Sequence, residues 1–312
     1  MSDAVEVAIE EAQERYPQGA ELARKLCAVG PLVSGSIPWL LRERSEAFWP
    51  MADRLANLSR RLEGSPIESL AEYTVMYLKE QMTFERTGKY SNTDFDEVYK
   101  AVYDNPEVMR RFYLEGLMLT HAFWPIHLDI HLFFDEHFLP LVPPAGEGLE
   151  VGFGHGLYIC DVLKRHPGAR TRSFDISQHA REFATRVLQL EGIESDRFAL
   201  EAADIRQPLP VEARSQEWAV FAEVLEHIPD PQAALHELSR VLAPGAPLFT
   251  TTVLNSNAID HLHQFADAAE VRGMIAKAGF EVVEERVLAV KDYVSNSNDP
   301  TVDLAYVCRR AT

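Results

Sequence analysis

The chain has 312 residues, 46% of them hydrophobic and 25% charged, which allows a sizeable core and leans towards two domains. Its 30 basic residues against 48 acidic ones leave a net charge of −18, and the nearest approach to a basic stripe is Arg54, Arg60 and Arg61. Nucleic-acid binding needs Lys and Arg to neutralise phosphates, so a nucleic-acid partner is not expected.

No apolar run approaches the roughly 18 to 20 residues that span a bilayer, so no membrane partner is expected either. The acidic stretch Met1 to Glu14 lacks the basic and apolar regions of a secretory signal. Cys27, Cys160 and Cys308 are odd in number and far apart, which fits neither a disulfide framework nor a zinc site. The expected location is the cytoplasm.

The first half reads as helices. Ala4 to Tyr16, Ile37 to Glu63, Ile67 to Thr87, Phe95 to Tyr103 and Pro106 to Thr120 place apolar residues three and four apart. Pro50 is expected to kink or split the second of them. Pro17-Gln18-Gly19, Gly64-Ser65-Pro66 and the stretch after Thr87 read as breaks. Asn105-Pro106 reads as a helix start, with a capping side chain followed by a proline suited to the first helical position.

Prolines 140, 143 and 144 with Gly146 and Gly148 mark a boundary, giving an all-helical region over 1–144 and a second unit over 145–312. Beyond it, short apolar strands alternate with helices: Gly148 to Val151, Thr171 to Phe174, Arg197 to Ala202, Trp218 to Ala222, Pro247 to Val253, Phe280 to Val290 and Val302 to Arg309. The intervening helices are Leu157 to His166, Gln178 to Leu190, Pro231 to Leu242 and Asp267 to Ala278. That rhythm predicts an α/β fold, a mostly parallel sheet with helices on both faces.

The sharpest motif is Glu150-Val151-Gly152-Phe153-Gly154-His155-Gly156, where the first strand meets a helix. Glycines there let a ligand approach the backbone. Their spacing is G-x-G-x-G rather than the G-x-G-x-x-G of nicotinamide binders, which disfavours an oxidoreductase. Asp175 ends the next strand about 20 residues on, placed to accept hydrogen bonds from ribose hydroxyls. Asp204 follows the third strand, Glu223-Val224-Leu225-Glu226-His227 the fourth, and Ala278-Gly279-Phe280 precedes the sixth.

In that order these segments resemble the motifs of the class I S-adenosylmethionine-dependent methyltransferases, in particular those acting on small molecules. The resemblance covers roughly residues 145 to 310 and implies a Rossmann-like seven-stranded sheet whose last strand is antiparallel. It implies S-adenosyl-L-methionine as cofactor, S-adenosyl-L-homocysteine as its product, and a small-molecule acceptor. Gly152, Gly154 and Gly156 would admit the cofactor, Asp175 would hold its ribose and Asp204 would face the adenine. Glu150, Phe153, Ile176, Ile205 and Glu223 complete the expected cofactor set. Many relatives open the fourth strand with an aspartate beside an aromatic, whereas this chain has Gln216-Glu217-Trp218. A fainter resemblance, of Thr87-Gly88-Lys89 and the stretch from Asp104 to Met118 to dimeric O-methyltransferases, implies a homodimer and a helical cap over the acceptor. Natural-product biosynthesis is the expected setting.

Methyl transfer needs positioning and water exclusion, and a base only for some acceptors. His227 after the fourth strand and His261 after the fifth, with His263 beside it, are candidate bases, and His121 is a third. Tyr113, Leu117 and His121, spaced by four, are expected to line the acceptor pocket together with His127. His127 and His131 share a helical face near Asp135 and Glu136, yet Asp129 points elsewhere, so no metal site is expected. Phe123, Trp124, Phe133 and Phe134 are read as core. Two alternatives stay open: another displacement on the sulfonium, such as cyclopropane closure, and a non-catalytic cofactor-binding subunit.

Overall fold

The computed structural model describes residues 3–293 and 300–312. Ten helices precede the sheet: α1 (Asp3–Ala12), α2 (Pro17–Val29), α3 (Pro31–Ser34), α4 (Ile37–Glu43), α5 (Ser45–Arg61), α6 (Pro66–Thr87), α7 (Phe95–Val98), α8 (Pro106–Val108), α9 (Leu114–Phe123) and α10 (Pro125–Phe133). Wider π-helical turns continue α7 over Tyr99–Tyr103 and join α8 to α9 over Met109–Tyr113. Asn105 caps α8, its side chain accepting from the Glu107 N–H at 3.0 Å with Pro106 next in line, as the sequence predicts.

Two expectations in this half are corrected. Pro17-Gln18-Gly19 does not break the chain but opens α2. Pro17 takes the first position, and Gly19 lies so close to α5 that a Cβ would sit 2.7 Å from the Asp53 N. Asp53 accepts from the N–H groups of Gln18 and Gly19 at 2.8 and 2.9 Å. Pro50 does not divide the second helix. It lies inside α5, near enough to its start to remove one backbone bond, and the break falls at Arg44, whose guanidinium turns to Asp129 at 2.7 Å.

The second half holds the seven strands β1 (Glu147–Glu150), β2 (Arg170–Asp175), β3 (Phe198–Ala202), β4 (Trp218–Ala222), β5 (Pro247–Leu254), β6 (Phe280–Ala289) and β7 (Val302–Arg310). They form one sheet in the order β3-β2-β1-β4-β5-β7-β6, with β7 antiparallel to both neighbours and the other pairings parallel. Four helices cross between strands: α11 (Leu157–Arg165), α12 (Gln178–Leu190), α13 (Pro231–Val241) and α14 (Ala268–Lys277). Ser177, Asp230 and Asp267 cap the last three by accepting the N–H three residues on.

The strand order reverses between β1 and β4, so a crevice opens at their carboxyl ends. The helical half closes over it, and its apolar residues share cores with the sheet. Leu157 and Val187 pack among α1, α2 and α5, while Phe134 and Phe138 pack against Trp218 and Phe249. Gly148 faces Trp218 on β4, where an added Cβ would lie 2.2 Å from the indole. Gly148→Ala should therefore destabilise the fold by about 1–3 kcal/mol through overpacking. Urea unfolding would register this as a lower midpoint at unchanged m-value.

Candidate active site

The loop after β1 turns back on itself through three left-handed glycines. Gly152 (φ +71°) and Gly156 (φ +78°) leave no room for side chains, since a Cβ would stand 2.5 Å from Val224 at the first and 2.8 Å from Ala184 at the second. The Asp175 carboxylate, at the end of β2, accepts from the Gly154 N–H at 3.1 Å and from the Ser177 N–H at 2.8 Å. Burial pushes its pKa up to about 6, against the pull of those two N–H groups.

These residues border a cavity of about 610 Å³. Of the expected cofactor set, Gly152, Gly154, Asp175, Ile176, Asp204, Ile205 and Glu223 line it. Glu150, Phe153 and Gly156 do not. The Glu150 carboxylate lies behind the loop, where it accepts the Ile159 N–H of α11 at 3.2 Å, and Phe153 is core. Asp204 is already gripped by Arg206 at 2.8 Å, and that guanidinium also lies 3.6 Å from the Phe95 ring centroid. Phe95, Tyr103, Met109 and Tyr113, from the segment with π-helical turns, line the same cavity. Ser177 Oγ donates to the Tyr103 carbonyl at 2.7 Å and ties that segment to the cofactor side.

Tyr113, Leu117 and His127 of the expected acceptor set line the cavity, and so do His227 and His261. His121 does not. Its Nδ1 lies 3.1 Å from that of His131, and its ring packs 4.7 Å from His155 in the glycine loop. His131 Nε2 turns to Asp161 at 2.9 Å and Asp161 to Arg54 at 2.7 Å, so His121 belongs to a buried polar chain behind the cofactor loop. His127 turns away from His131, with Nδ1 2.7 Å from Thr120 Oγ1. His263 packs on Phe265 instead of lining the cavity. Trp124, read as core from the sequence, is a correction: it lines the cavity, while Phe123, Phe133 and Phe134 are buried in the core.

Sequence reasoning gave no role to Asp260, and nothing in its local pattern signals one. Its side chain is buried at the junction of four segments. Oδ2 accepts from Tyr113 at 2.6 Å and Tyr103 at 3.1 Å, and its carbonyl oxygen lies 3.0 Å from His227 Nδ1. A carbonyl only accepts, so His227 Nδ1 carries the proton and a neutral ring leaves Nε2 basic. The same logic applies to His261, whose Nδ1 meets the Ser256 carbonyl at 2.8 Å, but burial lowers its pKa to about 4. Glu223 and Glu226 are buried together; burial raises both, and repulsion from Glu226 raises Glu223 further, whereas a hydrogen bond with Glu223 opposes the rise at Glu226. Glu226, His227 and His261 bring a carboxylate oxygen and two ring nitrogens within 4.8 Å of one another. Among the described residues the other such group is His131, Asp135 and Asp161, where Arg54 supplies the positive charge.

Residues 149–250 match the family model described as a methyltransferase domain. Over that span the chain carries a methyltransferase domain, and its seven-stranded sheet with β7 antiparallel has the order expected of the class I S-adenosylmethionine-dependent methyltransferases, whose cofactor is S-adenosyl-L-methionine. It is 30% identical over 162 residues to a ubiquinone biosynthesis O-methyltransferase of Hahella chejuensis, covering 52% of this chain and 63% of that one. To the protein of the same description from Xylella fastidiosa it is 31% identical, over 43% of this chain and 50% of that one. The chain thus spans between half and two thirds of the length of these relatives. A geranyl diphosphate C-methyltransferase from Streptomyces coelicolor A3(2), solved with Mg2+, geranyl diphosphate and S-adenosylhomocysteine, aligns at a TM-score of 0.49. The identity is 14%, over 68% of this chain and 88% of that one.

The residues present fit the cofactor: a loop turned by left-handed glycines, of which Gly152 and Gly154 line the cavity, and an aspartate at the end of β2 border one space. Asp175→Ala should weaken S-adenosylhomocysteine binding by about 1.5–3 kcal/mol, read by calorimetric titration. In the parent protein, affinity should be level above pH 7 and fall as the pH drops through about 6, where a proton competes with the ribose hydroxyls for the carboxylate. The variant's affinity should be flat over that range.

Proposed function

We propose that the protein transfers a methyl group from S-adenosyl-L-methionine to a hydroxyl of a small aromatic acceptor, with His227 as the base. The observation that carries this reading is the anchoring of His227. Its Nδ1–H is committed to the Asp260 carbonyl, which leaves a basic Nε2 on a ring that lines the same cavity as Asp175 and Gly152. The names of the O-methyltransferase relatives support oxygen as the accepting atom.

The bound cofactor supplies an activated methyl group on a cationic sulfur. The chain's own task is to hold the acceptor, exclude water and take its proton. Tyr73, Tyr77 and Trp124 offer aromatic walls, with ring centroids 5.7 Å apart for Tyr73 and Trp124 and 5.2 Å for Tyr77 and Trp124. All three come from the helical half, which supports reading that half as a cap over the acceptor. Glu226 Oε1 lies 3.7 Å from His227 Nε2, near enough to stabilise the imidazolium that forms when the ring takes a proton.

His227→Gln should lower kcat by about 10²–10⁴-fold, the range for removing a general base, while S-adenosylhomocysteine affinity changes less than twofold. Transfer of labelled methyl groups to catechols, with product mass as readout, would measure the first, and calorimetry the second. Unchanged kcat in the variant would remove His227 from the chemistry. His261→Gln should cost less, because burial keeps that ring a weak base.

A further inference from the structure

We infer that the acceptor cavity selects by charge, taking uncharged or amine-bearing aromatic molecules and rejecting carboxylated or phosphorylated ones. This rests on the methyltransferase reading of the site and narrows its substrate class.

Five carboxylate residues line the cavity: Asp175, Asp204, Glu223, Asp260 and Asp303. No Lys or Arg lines it among the described residues, and the sequence from 294 to 299, between the lining residues Tyr293 and Thr301, contains neither. Asp175 and Asp204 belong to the cofactor end. Asp260 belongs to the acceptor end, because Tyr113 hydrogen-bonds it and begins a continuous aromatic wall. Tyr113 meets Tyr73 at 5.5 Å between ring centroids, Tyr73 meets Trp124 and Trp124 meets Tyr77.

An acceptor ring lying on that wall therefore has a buried carboxylate at one end. Burial alone would raise the Asp260 pKa, but His227, His261 and the hydroxyls of Tyr113 and Tyr103 outweigh it and hold the group below its ordinary value, so it stays ionised. Burial lowers His127 and His261 to about 4, so neither of these two rings sets a fixed positive charge against it at neutral pH. Asp260 Oδ1 and Glu223 Oε1 are buried without a hydrogen-bond partner, which leaves their charge and dipole uncompensated on this side. Repulsion between like charges a few ångströms apart in a poorly hydrated space disfavours an anion, whereas aromatic faces beside a carboxylate favour an ammonium.

The test uses a matched pair of probes on the whole protein saturated with S-adenosylhomocysteine. The pair is uncharged N-phenyl-1-naphthylamine and its anionic counterpart 8-anilinonaphthalene-1-sulfonate, titrated by fluorescence in EDTA and again in Mg2+. Only binding abolished by Leu117→Trp, which fills the cavity, is counted; Leu78→Trp serves if the first variant does not fold. The uncharged probe should bind about tenfold tighter or more. Equal affinities in either buffer, or no cavity-dependent binding of either probe, would overturn the inference.

A turnover arm compares catechol, dopamine and 3,4-dihydroxybenzoate. Methylation of the first two at a kcat/KM at least tenfold above the third supports the charge rule, and equal values for the benzoate overturn it. If none is methylated while the probes keep their ranking, the O-methyl reading fails and the charge rule stands.

Discussion

The site depends on one buried carboxylate. Asp175 closes β2 and takes N–H groups from two different loops, Gly154 after β1 and Ser177 before α12. Removing a carboxylate from water is costly unless it is hydrogen-bonded, so the two loops are held in mutual register by the need to satisfy it. That register fixes the left-handed glycines beside it. It also sets Ser177, whose hydroxyl reaches the Tyr103 carbonyl and so carries the constraint into the helical half. Its raised pKa reflects the same balance, since two N–H donors do not fully offset burial and an accepting oxygen still has capacity for donors from a ligand.

The helical half is bound to the sheet by more than apolar contact. Behind the glycine loop, His121 of α9 meets His131 of α10, His131 meets Asp161 of α11, and Asp161 pairs with Arg54 of α5. Arg54 also reaches Glu191 at 3.0 Å, just after α12. Buried ion pairs add little net stability against well-packed apolar groups, but breaking one leaves an uncompensated charge. Their effect here is geometric: four helices are tied to the segment that follows the cofactor loop, so the cap cannot shift without disturbing it.

Much of the fold was legible in the sequence because strand and helix periods differ and the breaks carry their own chemistry. Trp218–Ala222 and Gln178–Leu190 are read with the bounds observed, since each is an apolar or amphipathic run flanked by polar residues and turns. The failures are equally physical. Pro17 and Gly19 are a turn signal by composition, yet proline suits a helix start and the glycine is there for close packing on α5. The cofactor end of the site was legible because its residues follow successive strands and so fall at regular positions in the chain. The acceptor end draws Tyr73 from α6, Trp124 from the junction of α9 and α10, and Asp260 from the loop after β5. No local pattern links them.

The fate of Tyr113, Leu117 and His121 shows where spacing arguments stop. Residues four apart on an α-helix advance by about 400°, so each step drifts about 40° around the axis and eight residues drift about 80°. Tyr113 and Leu117 both reach the cavity, and His121, one step further, has rotated off it to face the glycine loop from behind. Tyr113 also ends a wider π-helical turn, which changes the phase of whatever follows relative to α8. A four-residue repeat identifies neighbours on a surface, but only packing decides where that surface ends. Here it ends between Leu117 and His121, which divides one helix between lining the cavity and bracing the glycine loop.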